Sequence, residues 1–92
     1  MNGEFTLGEN IGDLGGLSIA LKAYKLSLNG AEEPVMEGFT GTQRVFLGWG
    51  QAWRNKAREQ SLRIQVNNDP HSPAKFRVNG VVRNIPEFYE AF

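Results

Sequence analysis

Apolar residues recur along the chain in two helix-like stripes separated by short polar stretches. Leu14, Leu17, Leu21, Tyr24 and Leu28 follow one another at three- and four-residue steps, while Lys22, Lys25 and Asn29 fall off that face. This spacing predicts a helix over about 7–29. Thr6 and Glu9 stand at capping-box spacing at its start, and Asn29-Gly30 is a natural stop. Segment 31–38, with Pro34 inside it, reads as a loop. Val45, Phe46, Trp49, Ala52 and Trp53 then make the apolar face of a second helix over about 40–56, opened by Thr40 and Gln43 at capping-box spacing.

Segment 58–68 carries two signals. Leu62, Ile64 and Val66 alternate with Arg63 and Gln65 as in a strand, yet Leu62 and Val66 are also four apart and Glu59 faces Arg63 at a helical step. A helix is the better reading, because no partner strand is evident elsewhere. A proline-bracketed loop follows at 69–73, then short turns around Val78 to Val82, then a short helix over 86–91 with Pro86 in its first turn. Gly12, Gly15 and Gly16 inside the first helix each cost roughly 1 kcal/mol against alanine. They predict a close approach by another backbone or a bulky group.

Composition narrows the class. The 92 residues allow one small domain, and 40% hydrophobic content is enough for a packed core. Ten basic and ten acidic side chains balance to zero, which gives no electrostatic footprint for nucleic acid. No apolar run reaches the ~20 residues of a membrane span. Without cysteine, neither a disulfide framework nor a thiolate metal site can form.

Candidate chemistry begins with Glu9 and Asp13, four apart and so on one helix face, where like charges repel unless a cation intervenes. Acidic residues also suit a helix start through the macrodipole, so a plain capping role competes with metal ligation by Glu9 and orientation of another ligand by Asp13. His71, the only histidine, lies in the stretch Asp69-Pro70-His71-Ser72-Pro73. Prolines limit the backbone freedom of that loop, and a cationic imidazole there could stabilise an oxyanion. Arg77 by itself reads as a surface cation.

Three blocks in order make the chain resemble the neprilysin-type zinc metallopeptidases. They are Glu9-Asn10-Ile11-Gly12-Asp13, then Gln51-Ala52-Trp53, then Asn68-Asp69-Pro70-His71-Ser72-Pro73 with Phe76-Arg77-Val78-Asn79-Gly80. The resemblance implies a mainly α fold, the C-terminal part of a thermolysin-like metallopeptidase catalytic domain, with residues 1–92 a single partial domain. It implies Glu9 as a zinc ligand and Asp13 as the group that orients a zinc-bound histidine. It also implies His71 as the oxyanion stabiliser, Arg77 as the grip on a substrate carbonyl, and Ala52 and Trp53 as lining of a substrate pocket.

A hydrolytic zinc site needs about three protein ligands and a base, and the family takes two histidines and a glutamate from an H-E-x-x-H helix. That motif is absent here. The expectation is therefore a zinc-dependent peptidase whose zinc this segment alone does not hold and which is inactive without the missing N-terminal part of the catalytic domain. Expected partners are that missing part and peptide substrates, with no nucleic acid; in isolation the segment would form homo-oligomers. The compartment stays open between periplasmic, extracellular and cytoplasmic, and the lack of cysteine leans towards a bacterial relative by resemblance. The competing class is a non-catalytic helical module that binds another protein through its aromatic face.

Overall fold

The computed structural model describes residues 2–54, 56 and 58–92. Its elements run α1 (Gly3–Ser27), β1 (Val35–Met36), β2 (Phe39–Thr40), α2 (Gly41–Ala52), α3 (Glu59–Asn68), α4 (Ala74–Val82) and α5 (Pro86–Ala91). The fold is mainly α.

The start of α1 corrects the expected capping box. Asn2 is the cap: its Oδ1 accepts from the Phe5 N–H at 3.2 Å, and α1 begins at Gly3. Thr6 lies inside the helix, 1% exposed, and its hydroxyl donates back to the Asn2 carbonyl at 3.1 Å. A threonine hydroxyl that bonds the carbonyl four residues back is a helix-interior habit, so it no longer serves as a cap. At the other end Leu28 is the C-cap.

Part of the expected loop at 31–38 is a hairpin. Val35 pairs with Thr40 and Met36 with Phe39, antiparallel, across Glu37-Gly38. Both turn residues have positive φ, 53° and 82°, which is the backbone a two-residue hairpin turn requires. Thr40 then opens α2 with a complete capping box: its hydroxyl accepts from the Gln43 N–H at 3.2 Å, and its own N–H donates to the Gln43 side chain at 3.0 Å. Ala52 ends α2, short of the expected 56, and the last stretch of that expectation includes Asn55, outside the described residues.

Residues 59–68 are helical, with an exposed Glu59–Arg63 pair at 2.7 Å, and no residue of α3 is buried. Where turns were expected around Val78 to Val82, the chain forms α4, which Pro73 leads into. Burial explains the difference. Val81 and Val82 join Leu17, Leu21, Phe46 and Ile85 in the core, and this tertiary packing outweighs their weak intrinsic helix preference. Phe88 closes the core from α5, edge-to-face with Phe46 at 5.4 Å between centroids.

Packing of α1 along its length positions the site. Leu17 and Leu21 carry the buried stripe through its second half. One, two and three turns before Leu17 the same face continues in polar residues, Asp13, Asn10 and Thr6. Both halves lean on α4 and the loop before it through the contacts described below. The glycines of α1 do not pack closely against anything described: a Cβ on Gly12, Gly15 or Gly16 would meet nothing within 4 Å. Their expected neighbour is not among the described residues.

Candidate active-site edge

Arg77 anchors the site from the second turn of α4. Its Nε donates to Asp13 Oδ2 and its Nη2 to Asp13 Oδ1, each at 2.8 Å, a two-pronged fit of guanidinium to carboxylate. The pair is largely shielded, with side-chain exposures of 17% for Arg77 and 11% for Asp13. The hydrogen bonds to Asp13 outweigh desolvation and raise the Arg77 pKa further, so the group stays cationic. Trp53, the residue that caps the end of α2, lays its ring over the guanidinium with 3.7 Å from Cζ to the centroid. Trp49 donates its indole N–H to the Arg77 carbonyl at 2.9 Å, which ties α4 to α2 beneath the ion pair. Asp13 uses two of the five guanidinium N–H groups, leaving three for another acceptor.

His71 sits beside this pair, in the loop between α3 and α4. Its backbone N–H donates to Asp69 Oδ1 at 2.9 Å, and the same oxygen lies 2.8 Å from its Nδ1. Asp69 therefore holds the proton of the ring at Nδ1 and turns Nε2 outward. The His71 backbone N–H, then the imidazole, hold the Asp69 carboxyl below its ordinary range. Nε2 lies 3.3 Å from Glu9 Oε2, on α1, an ion-pair distance when the ring is protonated. Both side chains remain open to solvent, 40% exposed for His71 and 51% for Glu9. Each can still receive a group from outside the chain.

The structure thus brings together Glu9, Asp13, His71, Arg77 and Trp53 along one edge between α1 and the start of α4. Ala52 is exposed at the end of α2 and approaches the group only as the chain neighbour of Trp53. Sequence reasoning missed the partner of Asp13, which is Arg77, and missed Trp49 as a support. Opposite charges inside two separate motif blocks were a signal for the first. For the second there was none, since an indole on an apolar helix face looks like core.

The donor set determines how far these residues fit a zinc ion. Glu9 offers one carboxylate, half-exposed and 3.3 Å from His71 Nε2. His71 Nδ1 is already taken by Asp69, and among the described residues no group of three His, Cys, Asp or Glu side chains is arranged to hold a metal. The described residues fit one ligand's share of a zinc site and not the whole of it.

Peptidase family M13 matches residues 1–92, the full chain. The chain belongs to this family of zinc metallopeptidases. Endothelin-converting enzyme 1 of Cavia porcellus is 45% identical over 95 residues, and neprilysin-1 of Caenorhabditis elegans 43% identical over 97. Each alignment takes in 100% of this chain and 13% of the relative, so the M13 chain spans a small part of these proteins' length. The zinc metalloprotease of Mycobacterium tuberculosis solved in complex with an inhibitor superposes with a TM-score of 0.95 at 63% identity, covering 97% of this chain and 14% of that one. A structure of the same mycobacterial enzyme in an open state gives 0.93. Among the described residues, no helix of the M13 chain is long and apolar enough to cross a membrane.

Proposed function

We propose that the chain is one part of a zinc-dependent endopeptidase, carrying one metal ligand and much of the substrate-facing machinery. The observation that carries this reading is the convergence of Glu9, His71 and the Asp13–Arg77 pair on one edge from motif blocks more than sixty residues apart. In this reading Glu9 is a zinc ligand, and the remaining ligands and the general base come from outside the 92 residues. Zinc, when bound, supplies a Lewis acid that acidifies a water and polarises a carbonyl.

The chain's own residues do the rest. Asp69 accepts from His71 Nδ1, so that in the cationic, doubly protonated ring the second N–H, on Nε2, points to the space beside Glu9 where an oxyanion would form. Arg77, locked in place by Asp13 and Trp53, presents its remaining N–H groups to a peptide carbonyl. Asp13 keeps lone pairs beyond those given to Arg77, enough to orient a zinc-bound histidine as well. Ala52 and Trp53 line the neighbouring substrate pocket, with Trp53 serving both pocket and guanidinium.

The relatives' names support a peptide as substrate. The test is hydrolysis of unstructured peptides by the full-length protein, with and without chelator. Chelator-sensitive cleavage, with a kcat at least ~100-fold lower in His71→Ala, is the expected result for a lost oxyanion donor. Cleavage indifferent to chelator and to His71→Ala overturns the reading. The 92-residue chain alone is expected to cleave nothing.

A further inference from the structure

Two motif residues have no part in that machinery. Asn10 follows Glu9 on α1, and Ser72 follows His71 in the loop before α4. Their side chains meet: the Ser72 hydroxyl donates to Asn10 Oδ1 at 2.7 Å, across 62 residues of sequence. Asn10 Nδ2 donates in turn to Thr6 Oγ1 at 3.3 Å, and the Thr6 hydroxyl donates to the Asn2 carbonyl at 3.1 Å. Thr6 and Ser72 are 1% and 2% exposed, among the most buried residues of the chain although both are polar. A part-buried, neutral relay, with Thr6 and Ser72 its buried members, runs from the cap of α1 into the His71 loop.

We propose that Asn10 and Ser72 are positioning residues that set the separation between Glu9 and His71, a proposal that rests on the peptidase reading for what His71 does. Successive residues of a helix point about 100° apart. Glu9 therefore faces the open edge while Asn10 turns inward to the loop. The bonds from His71 to Asp69 stiffen the loop internally without attaching it to α1. Among the described residues, two contacts attach it there: the half-exposed His71–Glu9 pair at 3.3 Å, and the shielded hydrogen bond from Ser72. One turn along, the Asp13–Arg77 pair makes a second cross-link, so the chain leaving His71 is held to α1 at two points.

Asparagine suits the relay because its amide accepts from Ser72 and donates to Thr6 at once. Aspartate at this place would lose the donor and add a fourth carboxylate near Glu9, Asp13 and Asp69. Removing Asn10 leaves the buried Ser72 hydroxyl without its bond, and removing either partner frees the loop to drift. Catalytic groups tolerate little drift: a misplacement of about 1 Å can cost on the order of 100-fold in rate.

The experiment is a double-mutant cycle in the full-length protein with Ser72→Ala, Asn10→Ala and the pair, together with Thr6→Val at the far end. Four quantities are read: kcat and KM on a peptide, bound zinc per chain, and amide hydrogen exchange over residues 69–76. The expected result is a kcat lowered about 10- to 100-fold in each single variant, the range for supports of a metal site. KM and zinc content should stay close to wild type, and the double variant should be no worse than the singles. Exchange over 69–76 should quicken while α2 is unchanged, and Thr6→Val should show the same pattern more weakly if Ser72→Ala does not fold. Unchanged exchange in that segment, or kcat losses that simply add, overturns the relay. A wild-type protein inactive on peptides would sink the peptidase reading instead, and the exchange measurement would still decide whether the relay holds the loop.

Discussion

Arg77 shows how much of the site is decided by single side chains. It is held from three directions, by the Asp13 carboxylate, the Trp53 ring and the Trp49 indole on its carbonyl. Asp13→Ala leaves a largely buried guanidinium without its partner, and the expected loss is about 3 kcal/mol, the low end for breaking a buried pair. Chemical denaturation of the two proteins side by side measures it; a loss near zero would mean that Trp53 and solvent suffice to hold Arg77. At this scale spacing marked Glu9 and Asp13 as one acidic face and the prolines marked His71, while the motifs gave these residues and Arg77 their expected roles. Glu9, Asp13, His71 and Arg77 could all be singled out, their roles because the blocks around them resemble a known family. Their mutual geometry could not: the Asp13–Arg77 and Asn10–Ser72 contacts join residues more than sixty apart, and periodicity reports only local neighbours.

Helices were legible where local signals agreed with tertiary packing. The Leu17–Leu21 stripe and the Thr40–Gln43 capping box are readable from spacing because the structure uses them for that purpose. Thr6 and Glu9 had the same spacing, but Asn2 displaced them as the cap. The helix at Ala74–Val82 was missed since its stability comes from Val81 and Val82 against the core, which a single sequence does not display. The entry to α2 carries a further device without a sequence signature: Glu33, nine residues back, accepts from both the backbone N–H and the hydroxyl of Thr42. The Thr42 hydroxyl bond is the main cause that holds the Glu33 carboxyl below its ordinary range. A carboxyl whose folded pKa is depressed contributes stability above its unfolded pKa and loses it as pH falls through the folded value. Thermal midpoints should therefore decline as pH drops below about 4. Glu33→Gln, which keeps an acceptor but does not titrate, should flatten part of that decline; identical acid profiles for the two proteins would exclude the contribution.

The whole molecule is drawn out in a way that fits a part better than a self-sufficient domain. Its radius of gyration is 15.2 Å with extents of 47 × 25 × 18 Å; a compact domain of this length would have about 12 Å. Along the 25 residues of α1 only Thr6, Leu17 and Leu21 are buried, Ile11, Ile19 and Leu26 stand more than half exposed, and a Cβ on Gly12, Gly15 or Gly16 would meet nothing within 4 Å. Such a surface should be covered in the full-length protein. In the isolated chain, light scattering at rising concentration should report association, and a strict monomer throughout would contradict that expectation.

The proposed zinc site, with Glu9 as one ligand and the others outside the 92 residues, is tested most directly by calorimetric zinc titration. The titration is run on this chain alone, on the chain combined with the remainder of the catalytic domain, and on the same combination carrying Glu9→Ala. Weak binding by the chain alone, tight binding by the combination and its loss in Glu9→Ala is the result expected of a shared site. Zinc bound equally tightly with Glu9→Ala, or not bound by the combination at all, would contradict Glu9 as a ligand and leave it only as the ion-pair partner of His71.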